Sequence, residues 1–91
     1  MSHIEKNKGA LVARVRRIAG QVAALERALE EDASCSVVLH QVAGVRGAIN
    51  GLMDEVIEEH MHEHVVHPDL DAAARASGAS ELLAAIRRYA K

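Results

Sequence analysis

Cys35 and the closely spaced His60, His62, His64 and His67 carry thiol and imidazole donors, and His3 adds another imidazole near the N-terminus. Five of the six histidines belong to this set. His60 and His64 are four residues apart, which on a helix puts both rings on one face where they can clamp a single ion. A histidine pair near a helix end is ordinarily solvated, and a lone cysteine on an apolar stripe is ordinarily a small core residue. Shared facing changes that balance. At about 100° per residue, Cys35 projects within about 20° of the His60/His64 direction. His62 projects to a different face and should be exposed, His40 lies too far from the cluster to be a good ligand candidate, and His67, just before Pro68, is open between the two.

A thiolate with several imidazoles suits Zn²⁺, Ni²⁺ or Co²⁺ better than Mg²⁺ or Ca²⁺, whereas copper(I) would prefer a second thiolate or thioether. If His3 and the N-terminal amine join, the count of N and S donors exceeds four and favours six-coordinate Ni²⁺ or Co²⁺ over tetrahedral Zn²⁺. Asp54, Glu55, Glu58, Glu59, Glu63, Asp69 and Asp71 lie between Arg46 and Arg75 with no Lys or Arg among them. Such a stretch attracts cations and repels DNA.

These residues need helices to position them. Leu11, Val15, Ile18, Val22, Leu25 and Leu29 recur in steps of four and three, a helix-packing seam that predicts a first helix ending near Glu30. The acidic run Glu30-Glu31-Asp32 is unfavourable at a helix C-terminus, and Ser34 can cap a new start. Val38, Val42, Val45, Ile49, Leu52 and Val56 repeat the pattern without a proline before Pro68, predicting one long helix from about Ser34 to Val66. Residues 69–80, Ala-rich and broken by Gly78, read as a loop holding a helical turn or two. Leu82, Ile86 and Tyr89 predict a short last helix. Strand signals, internal repeats and low-complexity tracts are absent. The fold class is all-α: two long antiparallel helices and a short C-terminal one.

A helical hairpin with one apolar face needs a partner, and a dimeric four-helix bundle supplies it. Gly44, Gly47 and Gly51 project away from the Val38/Val45/Leu52 stripe and suggest a second interface, hence a tetramer built as a pair of dimers. The same helix holds Cys35 and His60 apart: 25 residues of continuous helix span roughly 37 Å. One chain cannot bring these ligands together. Two antiparallel copies crossing near Ala48 and Ile49 can, which would make the site intersubunit and give two sites per dimer.

The remaining arithmetic narrows the class. Ninety-one residues predict a single domain, 1–91. With no Phe or Trp, its core must come from Ala, Val, Leu, Ile and Met, which again favours self-association. A formal net charge of −2 argues against a uniformly basic nucleic-acid binder. A single cysteine permits no intrachain disulfide and fits a reducing cytosol. With no signal-peptide h-region and no run of 18 apolar residues, neither export nor a membrane span is expected, and the localisation reads as cytoplasmic. The charge is nevertheless polarised. Lys6, Lys8, Arg14, Arg16 and Arg17 face only Glu5 at the start, and Lys6, Arg14, Arg17 and Gln21 point to one side of the first helix. Arginine forks and an amide on a rigid helix suit phosphate contact and groove recognition, and repetition over four subunits would give a basic surface able to track a duplex. The candidate DNA contacts are Lys8, Arg14, Arg16, Arg17 and Gln21.

Taken together, Arg14-Val-Arg-Arg-Ile-Ala-Gly-Gln-Val, the Cys35 neighbourhood, Val45-Arg-Gly-Ala-Ile-Asn-Gly-Leu-Met and His60 to His67 resemble the CsoR/RcnR family of all-helical metal- or formaldehyde-responsive repressors. The resemblance covers essentially the whole chain. It implies a homotetramer that binds a G/C-tract operator in double-stranded DNA when effector-free and releases it when effector binds, switching on an efflux or detoxification gene. It places the sensing positions on His3, Cys35, His60 and His64. This set resembles the nickel/cobalt branch, since the copper branch would place cysteine where His64 stands. The formaldehyde branch is similar along the first helix, but it uses a proline where this chain has Ser2 and lacks the histidine at 64. Two other classes fit less well. His60-Met-His-Glu63-His64 satisfies H-x-x-E-H, the pattern of an inverted zincin, but a 91-residue bundle offers neither the cleft nor the further ligand of a protease. A metal chaperone or storage bundle would leave the basic face unused.

Overall fold

The computed structural model describes residues 7–89. Three helices carry almost all of them: α1 (Lys8–Glu30), α2 (Cys35–His64) and α3 (Ala72–Tyr89). The described residues divide into two compact units, Gly9–Leu52 and, together with residues 7–8, the part from Met53 on.

In the first unit, α1 ends where the acidic run predicted. The Ala33 amide donates to the Ala28 carbonyl at 2.9 Å and the Asp32 amide to that of Leu29 at 3.3 Å. Asp32 turns left-handed, with φ 57°. This is a Schellman ending with Asp in the place usually taken by Gly, tolerated because a short polar side chain adopts that conformation more readily than most. Two residues later Ser34 caps α2, its Oγ accepting from the Val37 amide at 3.2 Å. Arg14, near the start of α1, meets Gly51, well along α2, so the two helices run side by side and antiparallel. Leu11 and Ile18 of the α1 seam are buried. The rest of the seam is not: Val15, Val22 and Leu29 are about half exposed, as are Val42 and Ile49 of α2.

In the second unit, the end of α2 is followed by a connection shorter than the sequence suggests. The expected loop over residues 69–80 is corrected to residues 65–71, because α3 begins at Ala72 and runs unbroken through Gly78. Asp71 is its cap, with Oδ1 accepting from the Ala74 amide at 2.7 Å. The three alanines that follow are the strongest helix formers. Arg75 reaches back to donate to the carbonyls of His67 and Leu70, each at 3.1 Å. Gly78 does not break the helix because it is a contact point. A Cβ there would collide with the His64 carbonyl oxygen and lie 2.7 Å from the His64 carbonyl carbon. Gly78 and Leu82 are the buried residues of α3. Among the described residues, Leu11, Ile18 and Leu82 are the only buried apolar side chains, and no helix is long and apolar enough to cross a membrane.

Candidate functional site

The final turns of α2 bring His60 and His64 together. Their ring centroids are 4.9 Å apart with the planes tilted by 41°, and both residues are half-buried. His60 Nε2 lies 3.1 Å from the Gly78 carbonyl oxygen. A carbonyl can only accept, so in this contact the His60 ring donates from Nε2. A backbone carbonyl on the far nitrogen is the usual support for a metal-binding histidine, since it holds both the tautomer and the ring plane. Glycine is required at 78 for the close approach, because any side chain would push the α3 backbone off the His64 carbonyl.

The donor chemistry therefore fits a borderline divalent cation, with His60 and His64 as this chain's contribution. Cys35, the other sulfur or nitrogen ligand predicted on α2, is its first residue and is exposed. His3 lies outside the described residues. Among the described residues, no three His, Cys, Asp or Glu side chains of one chain are grouped to hold an ion.

The acidic stretch divides between roles. Asp71 caps α3, and Glu58 is 3.8 Å from exposed His62. Glu59, His62, Glu63, Val66, His67 and Pro68 line an open groove of about 400 Å³. His67 Nδ1 accepts from the Asp69 amide at 3.1 Å, which commits that nitrogen to the turn.

Of the candidate DNA contacts, Arg14, Arg16, Arg17 and Gln21 belong to the Gly9–Leu52 unit and Lys8 to the other. Lys8, Arg16, Arg17 and Gln21 are exposed. The first turn of α1 holds no acid and begins with Lys8, an arrangement that the helix dipole disfavours and that stability alone would not select. Arg14 differs from its neighbours. It is half-buried, with Nη1 2.7 Å from where a Cβ of Gly51 would stand. Gln21 also lines a groove of about 230 Å³ with Ala24, His40, Gln41 and Gly44, where the Gln41 Oε1 is buried without a partner among the described residues. Gly44 and Gly47 meet nothing within 4 Å, whereas Gly51, expected to share their outward role, is already covered by Arg14. What sequence reasoning missed is the contact of Arg14 with Gly51, the packing of Gly78 on His64, the cap at Asp71 and the hydrogen bonds of Arg75. Of these, Asp71 had a legible signal, a capping residue directly before three alanines.

Among the described residues the chain is helical, with basic side chains exposed on α1 and a histidine pair at the end of α2. The chain belongs to the metal-sensitive transcriptional repressor family, the CsoR/RcnR family, which it matches over residues 7–88. It is 45% identical over 91 residues, the whole of both chains, to the transcriptional repressor RcnR of Salmonella paratyphi B. It is 48% identical over the same span to a protein in the bioA 5′ region of Serratia marcescens. In structure it is similar to the formaldehyde-responsive regulator FrmR of Salmonella enterica serovar Typhimurium, in a variant with histidine replacing one glutamate. That similarity has a TM-score of 0.86 at 44% identity and covers 97% of this chain and 99% of that one. The family is one of repressors, and the hydrolase pattern around His60 has no catalytic meaning here.

Proposed function

We propose that the chain is a nickel- or cobalt-responsive repressor. Metal-free, it binds operator DNA through Lys8, Arg14, Arg16, Arg17 and Gln21 as a homotetramer; with Ni²⁺ or Co²⁺ bound it releases the operator and allows an efflux gene to be expressed. Residues 1–91 act as one metal-sensing, DNA-binding domain in the cytoplasm. The observation that carries the reading is the His60/His64 pair with the His60 tautomer held by the Gly78 carbonyl. Cys35 of a second copy and His3 complete the ligand set. Self-association is supported by the half-exposed apolar stripes of α1 and α2, which would otherwise leave Val15, Val22, Leu29, Val42 and Ile49 in water.

His3, His60 and His64 would hold the ion, which would supply a charge centre linking the segment before α1 to the end of α2. His3 precedes α1, so closing this link moves the start of the helix that carries the basic face. The arginine spacing across the tetramer then no longer matches the duplex. Linkage requires the reciprocal effect: bound operator weakens metal affinity by the same factor.

The similarity to FrmR supports a second reading, a formaldehyde-responsive repressor acting through Cys35 and the N-terminus. One titration separates the two. A labelled duplex carrying the G/C tract upstream of the regulated gene is bound by metal-free protein, then challenged with Ni²⁺, Co²⁺, Zn²⁺ or formaldehyde. Release by Ni²⁺ or Co²⁺ and not by formaldehyde is expected. Release by formaldehyde while saturating metal leaves the complex intact assigns the aldehyde instead.

A further inference from the structure

We propose that Gly51 is a positioning residue for operator binding: its bare backbone on α2 seats the guanidinium of Arg14 and holds that side chain where it meets DNA phosphate. The proposal rests on the reading that the basic face of α1 contacts the operator.

Of the basic residues on the first part of α1, Lys8, Arg16 and Arg17 are exposed and Arg14 alone is half-buried. The reason is local. A Cβ built on Gly51 would stand 2.7 Å from Arg14 Nη1 and 3.8 Å from Cζ, so the head group fills the space that a side chain would take. Gly44 and Gly47 on the same helix meet nothing within 4 Å, which makes the contact particular to Gly51. Backbone conformation does not demand glycine there, since no glycine among the described residues has a positive φ. Glycine is also among the poorest residues for a helix interior. What Gly51 offers is room.

That room matters because arginine is costly to immobilise. Its long stem has many rotamers, and a guanidinium already held in one orientation loses less freedom when it closes its fork on a phosphate. The seat also ties the orientation of Arg14 to the pairing of α1 with α2. An added methyl at 51 would displace only the far end of a flexible side chain, not backbone, so the helices can stay paired while the guanidinium moves. Gly51→Ala is therefore a probe that separates head-group position from fold.

The test uses the full-length, metal-free protein and a labelled duplex bearing the G/C tract. Six proteins are compared by fluorescence anisotropy across a salt series: wild type, Gly51→Ala, Arg14→Ala, the double variant, Arg16→Ala and Arg17→Ala. Gly51→Ala should weaken operator binding about three- to tenfold and reduce the salt slope by up to about 0.9, the share of one phosphate contact. Its Ni²⁺ titration should be unchanged and its melting temperature equal to or above wild type. Arg14→Ala should lose at least as much affinity as Gly51→Ala, and adding Gly51→Ala to it should have no further effect, because the group being positioned is gone. Wild-type or tighter binding by Gly51→Ala, or an equal loss in the Arg14→Ala background, overturns the proposal alone. If Arg14→Ala, Arg16→Ala and Arg17→Ala all bind as wild type, the assignment of the DNA face to α1 fails first and takes this proposal with it.

Discussion

His60 shows how much a single hydrogen bond decides. With Nε2 donating to the Gly78 carbonyl at 3.1 Å, the backbone of α3 holds the tautomer and plane of this ring. Gly78→Ala should therefore disturb two things at once: the new methyl meets the His64 carbonyl, and the shift needed to relieve it withdraws the carbonyl that orients His60. A stability loss of about 1–3 kcal/mol and a roughly 10–100-fold loss of Ni²⁺ affinity are expected. Thermal melts and a competitive chelator titration measure them, and wild-type metal affinity in this variant would remove Gly78 from the site. Cys35 makes a separate prediction. Thiolate ligation gives a charge-transfer absorption band in the Ni²⁺ or Co²⁺ complex, which should vanish in Cys35→Ala while the histidine ligands still bind weakly. His3→Ala should retain metal binding but release DNA poorly, and a variant that released operator as wild type would separate His3 from the switch.

At the scale of elements, the ends of the helices are governed by short-range chemistry that can be tested without any ligand. Ser34 satisfies the Val37 amide at the start of α2, so Ser34→Ala should cost about 1 kcal/mol. Asp32 sits left-handed at the end of α1, so Asp32→Gly should stabilise by about 0.5 kcal/mol or more. Denaturant midpoints check both, and a stabilising Ser34→Ala would mean that the cap is not formed in solution. Along α1, the exposed Arg17 is predicted to contribute phosphate contact without touching the metal site. Its alanine variant should lower the salt slope of operator binding by about 0.9 and leave the Ni²⁺ titration unchanged. If the slope holds, Lys8, Arg16 and Arg46 are the next residues to examine.

For the whole molecule, the decisive fact is how little of the apolar surface one chain buries. Three buried apolar side chains among the described residues are a thin core for ordering three helices against chain entropy. The half-exposed stripes of α1 and α2 leave further apolar surface uncovered in the single chain. Mixing subunits tests the arrangement directly. Cys35→Ala protein combined with His60→Ala/His64→Ala protein should restore one metal site per heterodimer, detected as Ni²⁺ bound with a thiolate band that neither parent shows. Absence of the thiolate band from the mixture would sink the antiparallel intersubunit site, whatever the oligomer.

What the sequence alone determined was what repeats along a helix or sits beside its ends. The α1 and α2 seams announced themselves because a 3.5-residue period is a local property of the chain. The end of α1 near Glu30 and the cap at Ser34 followed from residues touching their neighbours in sequence. The shared face of His60 and His64, the polarised charge and the family were legible for the same reason. The third helix was half legible: Leu82, Ile86 and Tyr89 marked its last turns, but Gly78 looked like a break because glycine is a poor helix former when nothing is packed on it. Only the tertiary structure decided otherwise, since the backbone of His64 lies where a Cβ would be and the close contact outweighs the propensity. The same holds for Gly51 under Arg14 and for the tautomer of His60. Each depends on an atom from a distant part of the chain occupying a particular space, and no periodicity along one helix encodes which atom that will be.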